Sequence, residues 1–399
     1  MVITEVRIRN VRIPRIYETH ASDKLKLQND DRKNSVYQIL ELFTNDNFVG
    51  LGEISDIAER MNPLNKQHLR RMIENTVVGS ELTNPHNVYK KFAKSLPKNI
   101  HPEFKNLVLF GFETALLDLI GKIYKIPLFI LLGGQVRSSI NVCWVLYLRN
   151  NISIDEELEL LSSEVIAKLN EGFRYFKMKV GADHEKDIKR ITKFREICGN
   201  EIYLRIDASG TWEEKEAIEK IKEMHAIGVN AVESPLIVVN RALANDDPEK
   251  INEDAANVAL SLGKVKLASP IPIIEHVADF NDNFTKTLIT QNSVDIINVV
   301  PTQAGGLFRS QRLIHAAEIS RIPTLLGSTV ELGIGTAAMV HLALSSSNVQ
   351  ISSDLVGPGL LVDDIITEPF RYKNGSLTST SLSGLGVTLD EEKVKKWEI

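Results

Sequence analysis

The chain opens on an alternation. Val6 and Ile8, then Val11 and Ile13, stand between charged or polar residues, the period of a half-buried strand. This opening lacks the unbroken apolar block of an export signal, so it is read as a strand from Val2 to Ile13. A second strand is expected from Val36 to Phe43 and a third from Phe48 to Ile54, with Asp46-Asn47 as the turn between them. The segment Tyr17 to Arg32 is too charged for a core and reads as a loop. From Lys66 to Ile126 the period becomes helical. It is clearest from Phe104 to Leu119, where Leu107, Phe110, Ala115, Leu117 and Leu119 supply the core face.

After Leu131-Leu132-Gly133-Gly134 the chain alternates strand and helix. Strands rich in Val and Ile are expected to end near Tyr147, Lys179, Asp207, Glu233, Glu275, Val300, Ser328 and Asp354, at intervals of 25 to 42 residues. One unit of an eightfold β/α barrel takes roughly 31 residues. Helices are expected over Glu156–Leu169, Glu185–Cys198, Glu213–Ile227 and Arg309–Ile319. The longest interval holds an acidic insertion, Arg241 to Asn257, expected at the surface. The fold class is therefore α/β: a (β/α)7β TIM-like barrel (136–365) behind an N-terminal α+β capping domain (1–135). The tail, 366–399, is expected to return to that capping domain.

Composition narrows the function. With 399 residues, 43% apolar and 25% charged, this is a globular chain long enough for two domains. The 47 Lys and Arg against 52 Asp and Glu give a net charge of −5, which argues against a nucleic-acid partner. Two cysteines, Cys143 and Cys198, cannot form a disulfide framework and point to a reducing cytoplasm. The longest stretch without formal charge, Leu332 to Ser353, is interrupted by Ser345 to Asn348. It falls short of the roughly 20 apolar residues that span a bilayer, so no membrane partner is expected.

In a parallel barrel, chemistry sits at the C-terminal ends of the strands. Lys177-Met178-Lys179 ends the second strand, and alternation puts both lysines on one face. Mutual repulsion and burial would lower a lysine pKa toward that of a general base; a solvent-facing pair of surface lysines is the plainer reading. Asp207 and Glu233 end the next two strands and could hold Mg²⁺, although Asp207 could instead cap the helix after it. A third ligand would end the fifth strand, where Glu275 and His276 both stand. Neighbouring strand residues face opposite ways, and Mg²⁺ chemistry favours the carboxylate.

Together these residues resemble the enolase superfamily, in its muconate-lactonizing and mandelate-racemase branches. Val49-Gly50-Leu51-Gly52-Glu53 resembles the capping-domain motif, and Phe176 to Gly181 the base-bearing strand. Ile206 to Trp212 and Val232 to Leu236 resemble the two ligand strands. Gly305-Gly306-Leu307, Gly327 to Glu331 and Asp354 to Pro358 carry the similarity to the C-terminus. The resemblance implies Mg²⁺, a small-molecule carboxylate substrate, removal of its α-proton, and an enediolate. A Lys or His base working beside Mg²⁺ is the established chemistry of that superfamily. The resemblance also implies Lys179 as the base, Lys177 as its neighbour, and Asp207, Glu233 and Glu275 or His276 as metal ligands. It further suggests a homo-oligomer.

The departures are informative. Alignment on Gly305-Gly306 puts Val300 where the lactonizing branch has a second lysine. The seventh strand offers Ser328, Thr329 and Glu331 but no histidine, and Ser209 replaces the family's Asn. With no base on the opposite face, two-base racemisation is not expected. Dehydration of an acid sugar is expected instead, with His101 as a candidate acid for the leaving hydroxyl. Cycloisomerisation of a muconate-like diacid is the alternative. Lys24 and Lys26 could hold a distal carboxylate, and Ser328 and Glu331 are expected at the substrate site. A Schiff-base enzyme using Lys179 and a metal-bound protein without turnover are the competing classes.

Overall fold

Antiparallel pairing organises the first three strands. Strands β1 (Ile3–Pro14), β2 (Asn34–Thr44) and β3 (Val49–Ile54) form one sheet in that order. The computed structural model describes residues 1–20, 33–149, 152–237, 248–277, 282–379 and 381–399. Asn47 makes the β2–β3 turn at φ 62°, a left-handed conformation that asparagine tolerates. Helices α1 (Lys66–Val77), α2 (Pro85–Ser95) and α3 (Pro102–Tyr124) follow. Most of α3 is buried because β3 lies directly against it. A Cβ on Gly52 would come within 1.9 Å of the Gly111 carbonyl oxygen, so only glycine permits the approach.

Seven parallel strands then lie side by side in sequence order. They are β4 (Cys143–Leu146), β5 (Tyr175–Lys179), β6 (Tyr203–Asp207), β7 (Ala231–Glu233), β8 (Ile273–His276), β9 (Ile296–Val299) and β10 (Thr324–Leu326). The main helices between and after them are α4 (Ile154–Asn170), α5 (His184–Cys198), α6 (Glu214–Ala226), α7 (Pro248–Ala268), α8 (Asp282–Thr290), α9 (Leu307–Ile319) and α10 (Gly333–Ser345). Their starts are chemically marked: Ser153 and Asp183 accept backbone N–H bonds at the head of α4 and α5, and Glu213 closes a capping box with Glu216 on α6.

Two expectations are modified. The eighth strand is not a ladder strand: Val349 and Ser353 make isolated parallel bridges to Thr324 and Val142. The Ser353 hydroxyl accepts from the Leu326 amide at 3.0 Å, so a side chain stands in for a rung. The acidic insertion is also only partly a surface segment. Its residues 241–247 lie outside the described residues, but α7 starts at Pro248 and buries Ala255, Val258, Ala259 and Leu262. That spacing is a helical stripe, which the surrounding acidic residues disguise.

The tail comes back to the first sheet. Helix α11 (Glu391–Trp397) meets β1 through Arg9, whose Nη1 lies 2.6 Å from Glu391 Oε2. The Ile399 amide donates to the Asn10 carbonyl at 3.0 Å. Both cysteines are free thiols. No helix among the described residues is long and apolar enough to cross a membrane.

Candidate active site

The parallel ladder decides which side chains meet. Lys179 pairs in register with Asp207, and Asp207 with Glu233. Ladder partners share a face, so the strand-end residues converge inside the barrel. Lys179 Nζ stands 2.6 Å from Asp207 Oδ2 and 3.4 Å from Ser209 Oγ. Lys177 Nζ lies 2.6 Å from Asp354 Oδ2, 3.3 Å from Asp207 and 3.5 Å from Glu233. Asn298 Nδ2 donates to Glu233 Oε1 at 2.7 Å, and Arg205 pairs with Asp354.

These contacts correct the expectation for Lys177. Burial alone would lower its pKa, but Asp354, Glu233 and Asp207 outweigh that and raise it, so the ammonium is held charged. Burial would likewise push Asp207 up, yet Lys179 and Lys177 bring it below the usual carboxylate range. Lys177 is thus a fixed cation. Asp354, Arg205 and Asn298 were not assigned roles from sequence. The signal for Arg205 was present, since a charge two residues before Asp207 on a strand shares its face.

The fifth strand end is resolved by register. Ile274 pairs with Glu233, and His276 with Asn298, whose amide reaches Glu233. Ile274 and His276 therefore share the inward face. Glu275 pairs with the outward core residue Ile297. It is fully buried and accepts from Ser234 Oγ at 2.7 Å and from the His276 amide at 3.0 Å. Its Oε2 has no hydrogen-bond partner among the described residues, and burial pushes its pKa up to about 8. The ladder therefore turns His276 to the inner face and Glu275, expected from sequence to be the better Mg²⁺ ligand, to the outer one.

Two inward carboxylates on adjacent strands suit a divalent cation, and the third inward position carries an imidazole. In this arrangement no three His, Cys, Asp or Glu side chains among the described residues are gathered closely enough to hold a metal. Asp207 and Glu233 are turned onto Lys177 instead.

A cavity of about 320 Å³ opens over this cluster. The barrel contributes Tyr147, Lys177, Lys179, Ser328 and Asp354, and the N-terminal sheet region faces them with Arg12, Arg15 and Arg60. Arg15 is bound to Asp56 at 2.9 Å and Arg60 to Glu103 at 2.7 Å. Arg12 makes no ion pair with a described residue, and is a cation that sequence reading overlooked. Lys24 and Lys26 lie outside the described residues. His101 is the residue before α3; Glu103 and Leu107 of that helix line the cavity and His101 does not.

Ser328 and Glu331 are joined directly, the hydroxyl donating to the carboxylate. Glu331 also accepts from the Thr329 amide at 2.7 Å and its hydroxyl at 2.8 Å, and burial raises its pKa. Between them Val330 sits at φ 65°, a costly conformation for a β-branched residue that these bonds impose. Val300 is buried, and a Cβ on Gly327 would fall 2.5 Å from its Cγ2. Val300, the residue aligned with the lactonizing branch's second lysine, brings only hydrocarbon to its position.

A family model described as enolase C-terminal domain-like matches residues 161–393. Over 366 residues the chain is 26% identical to muconate cycloisomerase 1-1 of Acinetobacter lwoffii, covering 90% of this chain and 88% of that one. It is 29% identical over 292 residues to muconate cycloisomerase 1 of Pseudomonas putida, covering 72% and 70%. L-Ala-D/L-Glu epimerase of Clostridium acetobutylicum is 27% identical over 282 residues, covering 69% and 70%. Among solved structures, muconate lactonizing enzyme from Pseudomonas fluorescens complexed with muconolactone has a TM-score of 0.81 and 22% identity, covering 100% of this chain and 99% of that one. That last likeness speaks to the fold alone.

Proposed function

The chain belongs to the enolase superfamily, as an enzyme of its muconate-lactonizing and mandelate-racemase branch, and from that premise we propose a one-base cycloisomerase acting on a muconate-type diacid. In the forward direction a carboxylate oxygen adds to a carbon–carbon double bond, and Lys179 Nζ delivers a proton to the carbon α to the other carboxylate. In reverse, Lys179 removes that proton and the lactone oxygen leaves as carboxylate. The diacid dianion gains one proton in forming the lactone monoanion, and Lys179 recovers that proton from solvent; no other atom is gained or lost. A divalent cation, when bound, withdraws charge from the substrate carboxylate and makes the α-proton more acidic.

The observation that carries this reading is the asymmetry of the site. Lys177 and Lys179 line the cavity, whereas Val300, at the aligned position of the branch's second lysine, packs beside Gly327 and carries no titratable group. Epimerisation, named for the Clostridium relative, needs a proton carrier on both faces, and Val300 is not one. The relatives also favour cycloisomerisation over the acid-sugar dehydration expected from sequence. Lys177 holds charge beside the reacting carboxylate, and Ser209 fixes Asp207 through its amide at 2.8 Å. Arg12 lines the cavity, has no ion pair among the described residues, and is placed for the distal carboxylate.

A panel of muconate-type diacids and acid sugars, assayed with divalent cations, tests this. Lactone from a diacid is the expected product, and Arg12→Gln should raise KM about tenfold with little change in kcat. A 2-keto acid from an acid sugar, with no lactone, would restore the dehydratase reading.

A further inference from the structure

We propose that the third protein ligand of this chain's metal site is the His276 imidazole, so that the site is a mixed oxygen–nitrogen one selecting nitrogen-accepting dications such as Co²⁺ or Zn²⁺ over Mg²⁺. This rests on the cation-dependent reading above and makes it specific.

Side-chain parity is fixed across three adjacent strands. Asp207 and Glu233 are ladder partners, so both face inward at the ends of β6 and β7. Glu233 is partnered by Ile274, which puts Ile274 inward on β8 and turns the next residue away. The β8–β9 ladder repeats the result independently. His276 is partnered by Asn298, and Asn298 Nδ2 lies 2.7 Å from Glu233 Oε1, inside the barrel. Glu275 is partnered by Ile297, which belongs to the core between sheet and helices, whereas Ile274 packs inside the barrel with Ala231, Ile296 and Leu325. The Glu275 carboxylate is engaged there by the Ser234 hydroxyl at 2.7 Å. Turning it inward would require a one-residue slip of β8, which would also drive Ile273 out of the core.

The inward strand-end set is therefore Asp207, Glu233 and His276. Mg²⁺ takes oxygen donors and holds imidazole poorly, whereas first-row transition dications accept both, with affinity rising from Mn²⁺ toward Cu²⁺.

The test is the metal-free full chain titrated with Co²⁺, read by absorption and by paramagnetically shifted proton NMR. The expected result is one bound Co²⁺ with a far-shifted exchangeable imidazole N–H signal. It should vanish in D₂O and in His276→Asp, and persist in Glu275→Gln. Mg²⁺ at about a hundredfold excess should fail to displace Co²⁺ from the wild type but compete in His276→Asp. Bound Co²⁺ without an imidazole signal, or with one that survives His276→Asp, would overturn the inference and leave the cycloisomerase reading standing. No binding of either ion would overturn both. If His276→Asp does not fold, His276→Asn read in the same way decides the matter.

Discussion

Lys179 is the residue on which the chemistry turns. It reaches Asp207 and Ser209 but none of the other carboxylates that hold Lys177. Lys179→Ala should lower kcat by about a thousandfold with little change in KM, the range expected for loss of a positioned proton carrier. A variant that keeps a tenth of wild-type turnover would remove Lys179 from that role. At this scale the sequence was readable where parity alone decides: Lys177, Lys179, Asp207 and Glu233 share faces by counting in twos. Glu275 and His276 were not separable, because parity within β8 depends on its register against β7 and β9, which no local signal carries. Asp354 was invisible as a partner of Lys177 since 177 residues separate them.

Elements are held together by buried carboxylates that act as caps. Glu113 on α3 accepts from the amides of Leu307 and Phe308 at the start of α9. Burial pushes its pKa up from 4.5 to about 7. A folded-state pKa above the unfolded one contributes stability that is complete below about pH 4.5 and lost as pH rises through 7. The loss is at most about 3 kcal/mol. Thermal melts should therefore show a melting temperature that falls between pH 5 and 8 in the wild type and falls less in Glu113→Gln. Parallel pH profiles for the two proteins would contradict this. The helical and strand rhythm was legible because its periods are local. The last barrel position was placed near Asp354, but its pairing through isolated bridges, with the Ser353 hydroxyl replacing one rung, has no local signal.

At the scale of the whole molecule, Asp118 joins three parts of the chain. Its fully buried carboxylate accepts from Leu51 of β3 at 2.9 Å, from Leu385 of the tail at 2.8 Å and from Lys122 at 2.6 Å. Asp118→Ala leaves two amides and an ammonium without their partner, and should cost about 3 kcal/mol in denaturant unfolding. A loss below about 0.5 kcal/mol would mean that water replaces the carboxylate at all three contacts. We propose the boundaries 1–135, 136–365 and 366–399 for the capping region, barrel and tail. Sequence order alone suggested that the tail returns to the capping domain; it could not reveal Asp118 as the junction, because an acid within an apolar helix looks like an exception until its partners are seen.

The most direct test of one-faced proton transfer is the isotopic composition of the product. A muconate-type diacid turned over in D₂O with a divalent cation should give a lactone carrying one deuterium at the α-carbon, in a single configuration, and Lys179→Ala should give none. Deuterium in both configurations, or lactone formed undiminished by Lys179→Ala, would contradict a single base on the lysine wall.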